Sequence, residues 1–426
     1  MGGGLLQLVA YGAQDVYLTG NPQITFFKVA YRRHTNFALE AIEQTFNGNP
    51  TFGSRVTCQI SRNGDLINRM YLQVKAPALT ASSKYVNYFG LRLINYVEIE
   101  IGGQKIDKHY SHWLYVWNEL SLPVSKRYGY NEMVGAYGGG ATAQTLYIPL
   151  EFWFCRNIGL ALPLIALQYH EVKININFEV AEKCMTIASG QAGFTASLWV
   201  DYIFLDTDER RRFAQLSHEY LIEQLQFTGQ EAVTSTTGLK TKLNFNHPCK
   251  ELVWFITSNE SSDSEKLNWF NYTTATNSIV DASIPSTPEA LKAALMQTTI
   301  NYKSTHTTPS NPIKSAKLIL NGNDRFYERP GRYFNLVQPF QHHENIPTNA
   351  GINVYSFALK PEEHQPSGTL NMSRIDTAIL SLSFEDASTA TPSTTYKPSE
   401  SVLYVYAVNY NVLRILSGMG GLAYSN

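Results

Sequence analysis

Charge of either sign is scarce in this sequence, and neither sign is in excess. Only 16% of the 426 residues are charged, and 34 Lys and Arg stand against 35 Asp and Glu, so the formal net charge is −1. A general binder of nucleic acid or of anionic membranes needs a basic excess, which this chain lacks. The local basic stretches at 32–34 and 209–212 are therefore expected to be solvated links or ion-pairing sites.

Clustered cysteines and long apolar runs are lacking too. The absence of any CxxC pair argues against a zinc knuckle or redox motif and favours buried thiols in a reducing compartment. The four cysteines are Cys58, Cys155, Cys184 and Cys249. The longest apolar run, residues 158–167, is about half the length needed to span a bilayer. The first residues match neither a signal peptide nor a myristoylation site, so we expect no transmembrane segment and no lipid anchor there.

Familiar enzyme motifs are also missing. The sequence has no phosphate loop, no HExxH zinc pair and no GxSxG nucleophile elbow. The adjacent His342 and His343 would point to opposite faces of an extended chain and would not converge on one metal. His109 and His170 stand near predicted strand ends among aromatic residues and are interpreted as structural. The sequence thus predicts no catalytic residue, no metal site and no cofactor.

The dominant pattern that is present has a period of two. Apolar and polar residues alternate in VEIEI at 97–101, VKININF at 172–178, TKLNFNH at 241–247 and LSLSF at 380–384. Strands with one buried face are typical of antiparallel sandwiches. Helical patterns are sparse, and the two candidates are residues 109–120 and 288–297.

A weak internal repeat keeps its order along the chain. EAIEQTFNG at 40–48 matches YLIEQLQFTG at 220–229, and VEIEIGGQ at 97–104 matches AKLILNGN at 316–323, with Gly103 opposite Gly322. Four further pairs follow the same order, and they are 56–66 with 243–252, 147–154 with 354–361, 172–178 with 377–384, and 198–206 with 403–411. The chain is therefore interpreted as two copies of one β-unit of about 190 residues.

The size of each unit indicates its architecture. Roughly eight strands, few helices and no βαβ rhythm predict an all-β chain of two-sheet sandwiches, of which the jelly roll is the eight-stranded form. We expect an N-terminal arm at 1–26, a first sandwich at 27–212 and a second at 213–426. The second carries long Ser- and Thr-rich loops at 257–313 and 385–400, which are expected to be exposed.

The N-terminal arm is the first candidate for assembly contacts. It is rich in glycine and then polar, and we interpret it as an extended segment with a turn at 20–22 that lies against a neighbour. The candidate contact residues are Asp15, Tyr17, Asn21, Pro22, Phe26, Phe27 and Lys28. The glycine-rich C-terminal segment 418–426 is a second candidate, and packing within the chain is the alternative for both.

Several long strings resemble those of one viral family. They are residues 8–28, 31–37, 61–66, 101–110, 159–173, 200–207, 218–229, 366–376 and 409–426. In these strings the sequence resembles the major capsid proteins of large icosahedral nucleocytoplasmic DNA viruses, in particular the chlorovirus type. The resemblance covers both halves of the chain and departs in the loops 128–144, 257–313 and 385–400.

The resemblance implies a double jelly roll, with two eight-stranded antiparallel β-sandwiches in one chain. It further implies homotrimers that are pseudo-hexagonal, because three chains with two similar domains give six similar wedges. The implied partners are other copies of the chain, neighbouring capsomers, and minor capsid and penton proteins, with no direct contact to nucleic acid. The implied location is the shell of the virion, near an internal membrane, after synthesis in the host cytoplasm.

Glycan acceptors are a further expectation. N-x-S/T sequons occur at Asn259, Asn271 and Asn371, and the last lies in a stretch that is interpreted as part of the fold. The resemblance implies N-linked sugars on outward loops of the second domain at sites that need not obey the sequon, which adds Asn277. The alternative functions are a carbohydrate- or receptor-binding viral surface protein, a minor capsid variant, and, last, a metal-dependent bicupin enzyme.

Overall fold

The computed structural model of this chain describes most of its residues. The described ranges are 3–79, 83–136, 142–186, 193–235, 237–258, 269–273, 311–384 and 401–424. The chain divides into two compact units, Met1–Phe37 and Ala38–Asn426. The predicted helix at 288–297, the loop 385–400 and the candidate acceptors Asn259 and Asn277 lie outside the described residues.

The first unit begins with short helices rather than the extended chain that the sequence predicts. Helix α1 spans Gly3–Val9, a single 3-10 turn spans Ala13–Asp15, and α2 spans Val16–Thr19. Leucines and Gln in α1 are good helix formers, which outweighs the glycines before them. The expected change of direction is present, because Asn21 has a φ of 50° just after α2.

The described residues of the first half of the chain, from Phe37 onwards, contain nine strands. They are β1 (Phe37–Gln44), β2 (Arg55–Gln59), β3 (Leu66–Ala76), β4 (Ile94–Ile101), β5 (Gln104–Tyr110), β6 (Gln144–Pro149), β7 (Leu162–Pro163), β8 (Val172–Phe178) and β9 (Thr195–Leu205). One sheet has the order β1-β9-β3-β6, with the short β7 beside β3, and the other has the order β2-β8-β4-β5.

The second half repeats this arrangement. Its strands are β10 (His218–Phe227), β11 (Glu231–Ala232), β12 (Gly238–Leu243), β13 (Pro248–Ser258), β14 (Ile313–Leu320), β15 (Asn323–Asp324), β16 (Arg329–Pro330), β17 (Asn353–Ser356), β18 (Leu370–Asn371), β19 (Ala378–Phe384), β20 (Ser401–Leu416) and β21 (Met419–Leu422). One sheet has the order β10-β20-β13-β17 and the other β12-β19-β14-β15, with the four remaining short strands attached at their sides.

The two halves share one topology. When the eight main strands of each half are counted along the chain, the sheets join the first, eighth, third and sixth strands and the second, seventh, fourth and fifth. The described pairings among these strands are antiparallel. Each half is therefore an eight-stranded jelly roll, and the predicted fold class is confirmed.

The glycine turns of the repeat show why the two halves fold alike. Gly102 and Gly103 connect β4 to β5 with φ values of 58° and 85°. Asn321 and Gly322 connect β14 to β15 with φ values of 49° and 82°. A two-residue hairpin turn with both φ values positive matches the twist of the flanking strands and selects Gly or Asn. The match of Gly103 with Gly322 thus marks the same hairpin in both jelly rolls.

Short helices fill the connections between the strands. They are α3 (Phe89–Leu93), α4 (Ser111–Ser121), α5 (Val124–Val134), α6 (Trp153–Arg156), α7 (Ala181–Cys184), α8 (Thr207–Gln215) and α9 (Gln338–His342), with 3-10 turns at Ile158–Leu160 and Met372–Arg374 and a π-turn at Tyr333–Val337. Helix α4 confirms the helical pattern at 109–120. Helices α5 and α8 occupy segments that the sequence indicated as a loop and a charged link, because neither shows a clear apolar stripe.

The core links the two jelly rolls. Its largest apolar cluster contains residues of both, including Ile222, Phe255 and Tyr406 from the second, and a smaller cluster belongs to the second jelly roll alone. Cys58, Cys184 and Cys249 are buried as expected, whereas Cys155 is only partly buried. Burial raises the pKa of the Cys58 thiol to about 12, so this thiol is protonated at neutral pH.

Candidate assembly surfaces

The predicted arm residues lie in the first unit and are exposed there. Tyr17 is 90% exposed, Phe26 is 88% exposed and Phe27 is 97% exposed. Asn21, Pro22 and Lys28 are exposed as well, and Asp15, which is half-buried, accepts a hydrogen bond from the Gly12 N–H at 2.7 Å. Contiguous exposed aromatic residues are uncommon on soluble monomers and mark interaction sites.

The second assembly candidate, the C-terminal segment, packs within the chain. Strand β21 returns along β20, and the Tyr169 N–H donates to the Gly418 oxygen at 3.0 Å. His170 Nδ1 lies 2.9 Å from the Gly420 oxygen, and a Cβ on Gly420 would lie 2.6 Å from a methyl of Leu167. These contacts join the end of the second jelly roll to the first, which is the intramolecular alternative for residues 418–422.

The two jelly rolls meet where the edge strand β5 of the first faces the edge strand β10 of the second. The Leu225 N–H donates to Asp107 Oδ1 at 3.0 Å, and the Gln224 amide donates to the Ile106 oxygen. Side chains thus satisfy backbone groups that an edge strand would otherwise leave open. We call this contact between β5 and β10 the intrachain seam.

A buried ion cluster closes the intrachain seam. Glu223 of β10 lies 2.8 Å from Lys250 Nζ, 3.2 Å from Arg156 Nη1 and 3.5 Å from His364 Nδ1. The Arg156 guanidinium also lies 3.9 Å from the centre of the Trp117 ring. Burial alone would raise the pKa of Glu223, but the hydrogen bond from His364 and the charges of Lys250 and Arg156 outweigh it and lower this pKa to about 2. The cluster therefore keeps a charged carboxylate inside the protein.

Sequence reasoning did not find this cluster. The repeated Ile-Glu-Gln at 42–44 and 222–224 was visible, but it indicated only a duplication. The partners of Glu223 come from distant parts of the chain, at Lys250, Arg156 and His364, so that no local spacing connects them. Only the fold brings them together.

A short segment of the second jelly roll is anchored on the first by aromatic residues. Trp269 stacks on His112 with ring centres 3.8 Å apart, and the Tyr272 hydroxyl lies 2.7 Å from His112 Nδ1. Phe270 stacks on Tyr115 at 4.8 Å. Burial, with the nearby Arg92 charge, lowers the pKa of His112 well below its usual range, so this histidine is neutral. The loop that contains residues 269–273 is therefore fixed at this point.

Candidate acceptor Asn271 lies in the middle of that anchor. It is half-buried between Phe270 and Tyr272, which are both buried. Its Oδ1 accepts hydrogen bonds from the Thr273 N–H at 3.0 Å and from the Thr273 hydroxyl at 2.7 Å. The remaining sequon residue, Asn371, is exposed and its Oδ1 accepts from the Ser373 N–H at 3.1 Å. Glycosylation of Asn271 stays a prediction.

The histidines that the sequence singled out have separate structural partners. His343 lies between two carboxylates, with Nε2 2.9 Å from Glu251 and Nδ1 2.7 Å from Glu362, whereas His342 Nδ1 lies 3.0 Å from the Leu359 oxygen. His109 Nε2 lies 2.9 Å from Asp107. In the described part of the chain no three His, Cys, Asp or Glu residues are grouped to hold a metal ion. None of the helices within the described ranges is long and apolar enough to cross a membrane.

Jelly rolls occur in viral capsid proteins, in lectins and in cupins. Duplication of a whole jelly roll within one chain, with the two copies joined at a buried seam, gives a rigid double block suited to tiling a shell. The N-terminal segment also leaves the aromatic side chains of Tyr17, Phe26 and Phe27 exposed. The fold and surfaces thus define a double jelly-roll capsid protein.

Comparison with known proteins identifies the family. The model described as large eukaryotic DNA virus major capsid protein matches residues 209–421, and the major capsid protein N-terminus model matches residues 25–206. The major capsid proteins of Pyramimonas orientalis virus and Paramecium bursaria Chlorella virus 1 are 52% and 48% identical, with 100% of each chain covered. A crystal structure of PBCV-1 VP54 has a TM-score of 0.78 and 42% identity over 94% of this chain and 100% of that one. The chain belongs to the large eukaryotic DNA virus major capsid protein family and is a structural protein of the virion capsid.

Proposed function

We propose that this chain is the main shell subunit of its virus and that it assembles as a homotrimer. The observation that carries the proposal is the repetition of one jelly-roll topology within the chain. Three such chains in a closed ring present six similar wedges, and a pseudo-hexagonal ring tiles a lattice, whereas a two-fold dimer does not. Contacts between copies, rather than a catalytic site, perform the function.

The arm is proposed to make contacts beyond the trimer. Its aromatic residues Tyr17, Phe26 and Phe27 are almost fully exposed, so covering them removes apolar surface from water at about 25 cal/mol per Å². The proposed partners are neighbouring capsomers and minor capsid or penton proteins. Deletion of residues 1–28 should leave the trimer intact and impair the assembly of trimers into shells. An unchanged yield of shells from the deletion variant would contradict this role.

N-linked sugars on the outward loops of the second jelly roll are a separate proposal. The candidates are Asn259, Asn271 and Asn277. Peptide mass spectrometry of the protein from virions should show hexose-containing mass additions on one or more of these residues. Unmodified peptides that cover all three would contradict the proposal.

Native mass tests the homotrimer. The chain has a mass of 47.9 kDa, so light scattering after size exclusion should give about 144 kDa for a trimer. A single peak that persists on dilution supports the proposal. A peak at the mass of one or two chains contradicts it.

A further inference from the structure

A cavity of about 560 Å³ lies beside the intrachain seam. It is lined by strands β1, β3 and β9, by α6 and the residues that follow it, and by Glu223, Glu362 and His364 of the second jelly roll. Leu39 and Ile158 at its margin are 55% and 60% exposed, so the cavity is open to solvent. Cavities of about 300–1,000 Å³ are typical of small-molecule sites, and the size of this one therefore suits a small ligand.

A β-bulge shapes one wall of the cavity. Where β3 pairs with β9, Asn68 and Arg69 lie opposite the single residue Asp201, and all three line the cavity. An extra residue bends a strand and re-aims its side chains, and bulges are common beside binding sites. The second jelly roll has a bulge on the matching strands, β13 and β20, at Lys250. The two bulges can therefore be compared directly.

The side chains at the two bulges differ in whether they have partners. Lys250 is fully buried and lies 2.8 Å from Glu223. At the first bulge Arg69 is exposed and Asp201 is half-buried, and neither side chain forms a hydrogen bond or an ion pair with a described residue. Asn68 is only 7% exposed, and its Oδ1 accepts no hydrogen bond from the described residues. Because buried polar groups are nearly always hydrogen-bonded, the first bulge is short of partners.

The other carboxylates of the cavity are already matched within the chain. Glu223 belongs to the buried ion cluster, and Glu362 lies 2.7 Å from His343 Nδ1 and accepts from the Glu344 N–H at 3.2 Å. Burial raises the pKa of Asp201, and the charge of Arg69 acts in the opposite direction without forming an ion pair. A ligand would therefore meet one unpaired guanidinium and one unpaired carboxylate close together.

These groups select a ligand that carries both charges. A guanidinium binds a carboxylate through two parallel hydrogen bonds, and the carboxylate of Asp201 suits an ammonium group. Leu39, Ile158 and Leu160 add apolar surface to the cavity. Apolar lining with a few convergent polar groups is the usual composition of a ligand site. The combination matches a small zwitterion that has an apolar side chain.

We propose that this cavity binds a free α-amino acid with an apolar side chain, with its carboxylate on Arg69 and its ammonium on Asp201. The ammonium also supplies a donor for Asn68, and the apolar side chain lies against Leu39 and Ile158. The bound amino acid contacts both jelly rolls, because residues of both line the cavity. The site does not depend on the proposed homotrimer, so the two are tested separately.

Calorimetric titration of the native protein with leucine, in buffer free of amino acids, tests the ligand class. We expect saturable binding with one site per chain. Two analogues, leucinamide without the carboxylate and the corresponding acid without the ammonium, should each bind at least tenfold more weakly. Absence of saturable binding of leucine would overturn the proposal, and so would equal affinities for leucine and the two analogues.

Substitutions test the residues of the site. Arg69→Gln and Asp201→Asn should each weaken leucine binding at least tenfold and leave the Tm without ligand close to that of the wild type, since neither side chain has a partner in the described chain. Arg211→Gln, on the exposed surface of α8 and outside the cavity, is the matched control and should bind leucine as the wild type does.

The analogue without the ammonium separates recognition from a structural effect. Asp201→Asn should bind this analogue about as well as the wild type does, because the carboxylate of Asp201 has no ammonium to hold in it. An equal loss of affinity for leucine and for the analogue would contradict the role of Asp201. Wild-type affinity for leucine in both Arg69→Gln and Asp201→Asn would overturn the site.

Discussion

Arg156 of the first jelly roll and Glu223 of the second form an ion pair, with Nη1 3.2 Å from Oε2, at the point where the jelly rolls meet. Lys250, which is fully buried, lies 2.8 Å from the other carboxylate oxygen. Burying three charges is costly unless they satisfy one another. Removing one member should therefore cost more free energy of folding than the intact cluster contributes, because the remaining charges stay buried without a partner.

Glu223→Gln should destabilise the protein by about 3–5 kcal/mol, because the Lys250 ammonium would stay buried without a carboxylate. Chemical denaturation of the variant and the wild type measures the difference. Glu219→Gln is the matched control on the same strand, since Glu219 pairs at 2.8 Å with Arg414 on the exposed surface and should cost about 0–1 kcal/mol. Equal effects of the two substitutions would contradict a buried charged cluster.

Acid should remove the advantage of Glu223 over Gln. The folded-state pKa of Glu223 is lowered to about 2 from an ordinary value of 4.5, so its contribution is fully present above pH 4.5 and is lost as the pH falls towards 2. The difference in unfolding free energy between wild type and Glu223→Gln should therefore shrink from pH 6 to pH 3. A difference that stays constant over this pH range would show that the partners of Glu223 do not lower its pKa.

The contribution of His343 to stability should depend on pH in the opposite direction and should be lost at alkaline pH. Burial lowers its pKa, but the carboxylates of Glu251 and Glu362 outweigh burial and raise the pKa to about 9. A raised pKa gives a contribution that is fully present below pH 6.5 and is lost as the pH rises through 9. This contribution is measured by comparing the Tm of the wild type with that of His343→Gln at pH 6 and at pH 10. The gap between the two should narrow at pH 10, and a gap that widens would contradict the ion pairs.

Gly351→Ala should loosen the anchor at residues 269–273. A Cβ at this position would lie 1.8 Å from the Tyr272 oxygen, so backbone must move to accommodate it. We expect a loss of about 1–3 kcal/mol, as for other overpacked sites, measured by denaturation. In Gly129→Ala the new Cβ meets nothing within 4 Å, and the substitution lies inside α5. That control should stabilise by about 1 kcal/mol through helix propensity, and a loss of stability there would weaken the comparison.

Strands and their duplication could be predicted because each carries its own signal. The alternation in VKININF and the Gly103 and Gly322 turns are local, so they report β8 and the two hairpins without knowledge of the rest. Helix α1 and helix α8 were not predicted, since the first begins with two glycines and the second is highly charged. The cluster of Glu223 with Arg156, Lys250 and His364 was unpredictable from spacing, because its members meet only through the fold.

Packing also changed the interpretation of candidate sites. Asn271 satisfies a sequon, yet its neighbours Phe270 and Tyr272 are anchors whose burial the sequence did not indicate. The C-terminal glycines do pack closely, as expected of such residues, but against Leu167 and Tyr169 of the same chain. The aromatic residues of the arm, by contrast, stay exposed in the single chain. Their role in assembly therefore stays a prediction.

The central claim is that the protein forms a pseudo-hexagonal homotrimer. Electron microscopy of the purified protein tests this claim most directly. Class averages of the purified protein viewed along its symmetry axis should show a ring with a hexagonal outline and threefold symmetry, with six similar lobes of alternating character. The two jelly rolls of each chain would supply neighbouring lobes. Averages that show an isolated two-lobed particle, or a particle with a two-fold axis, would contradict the account.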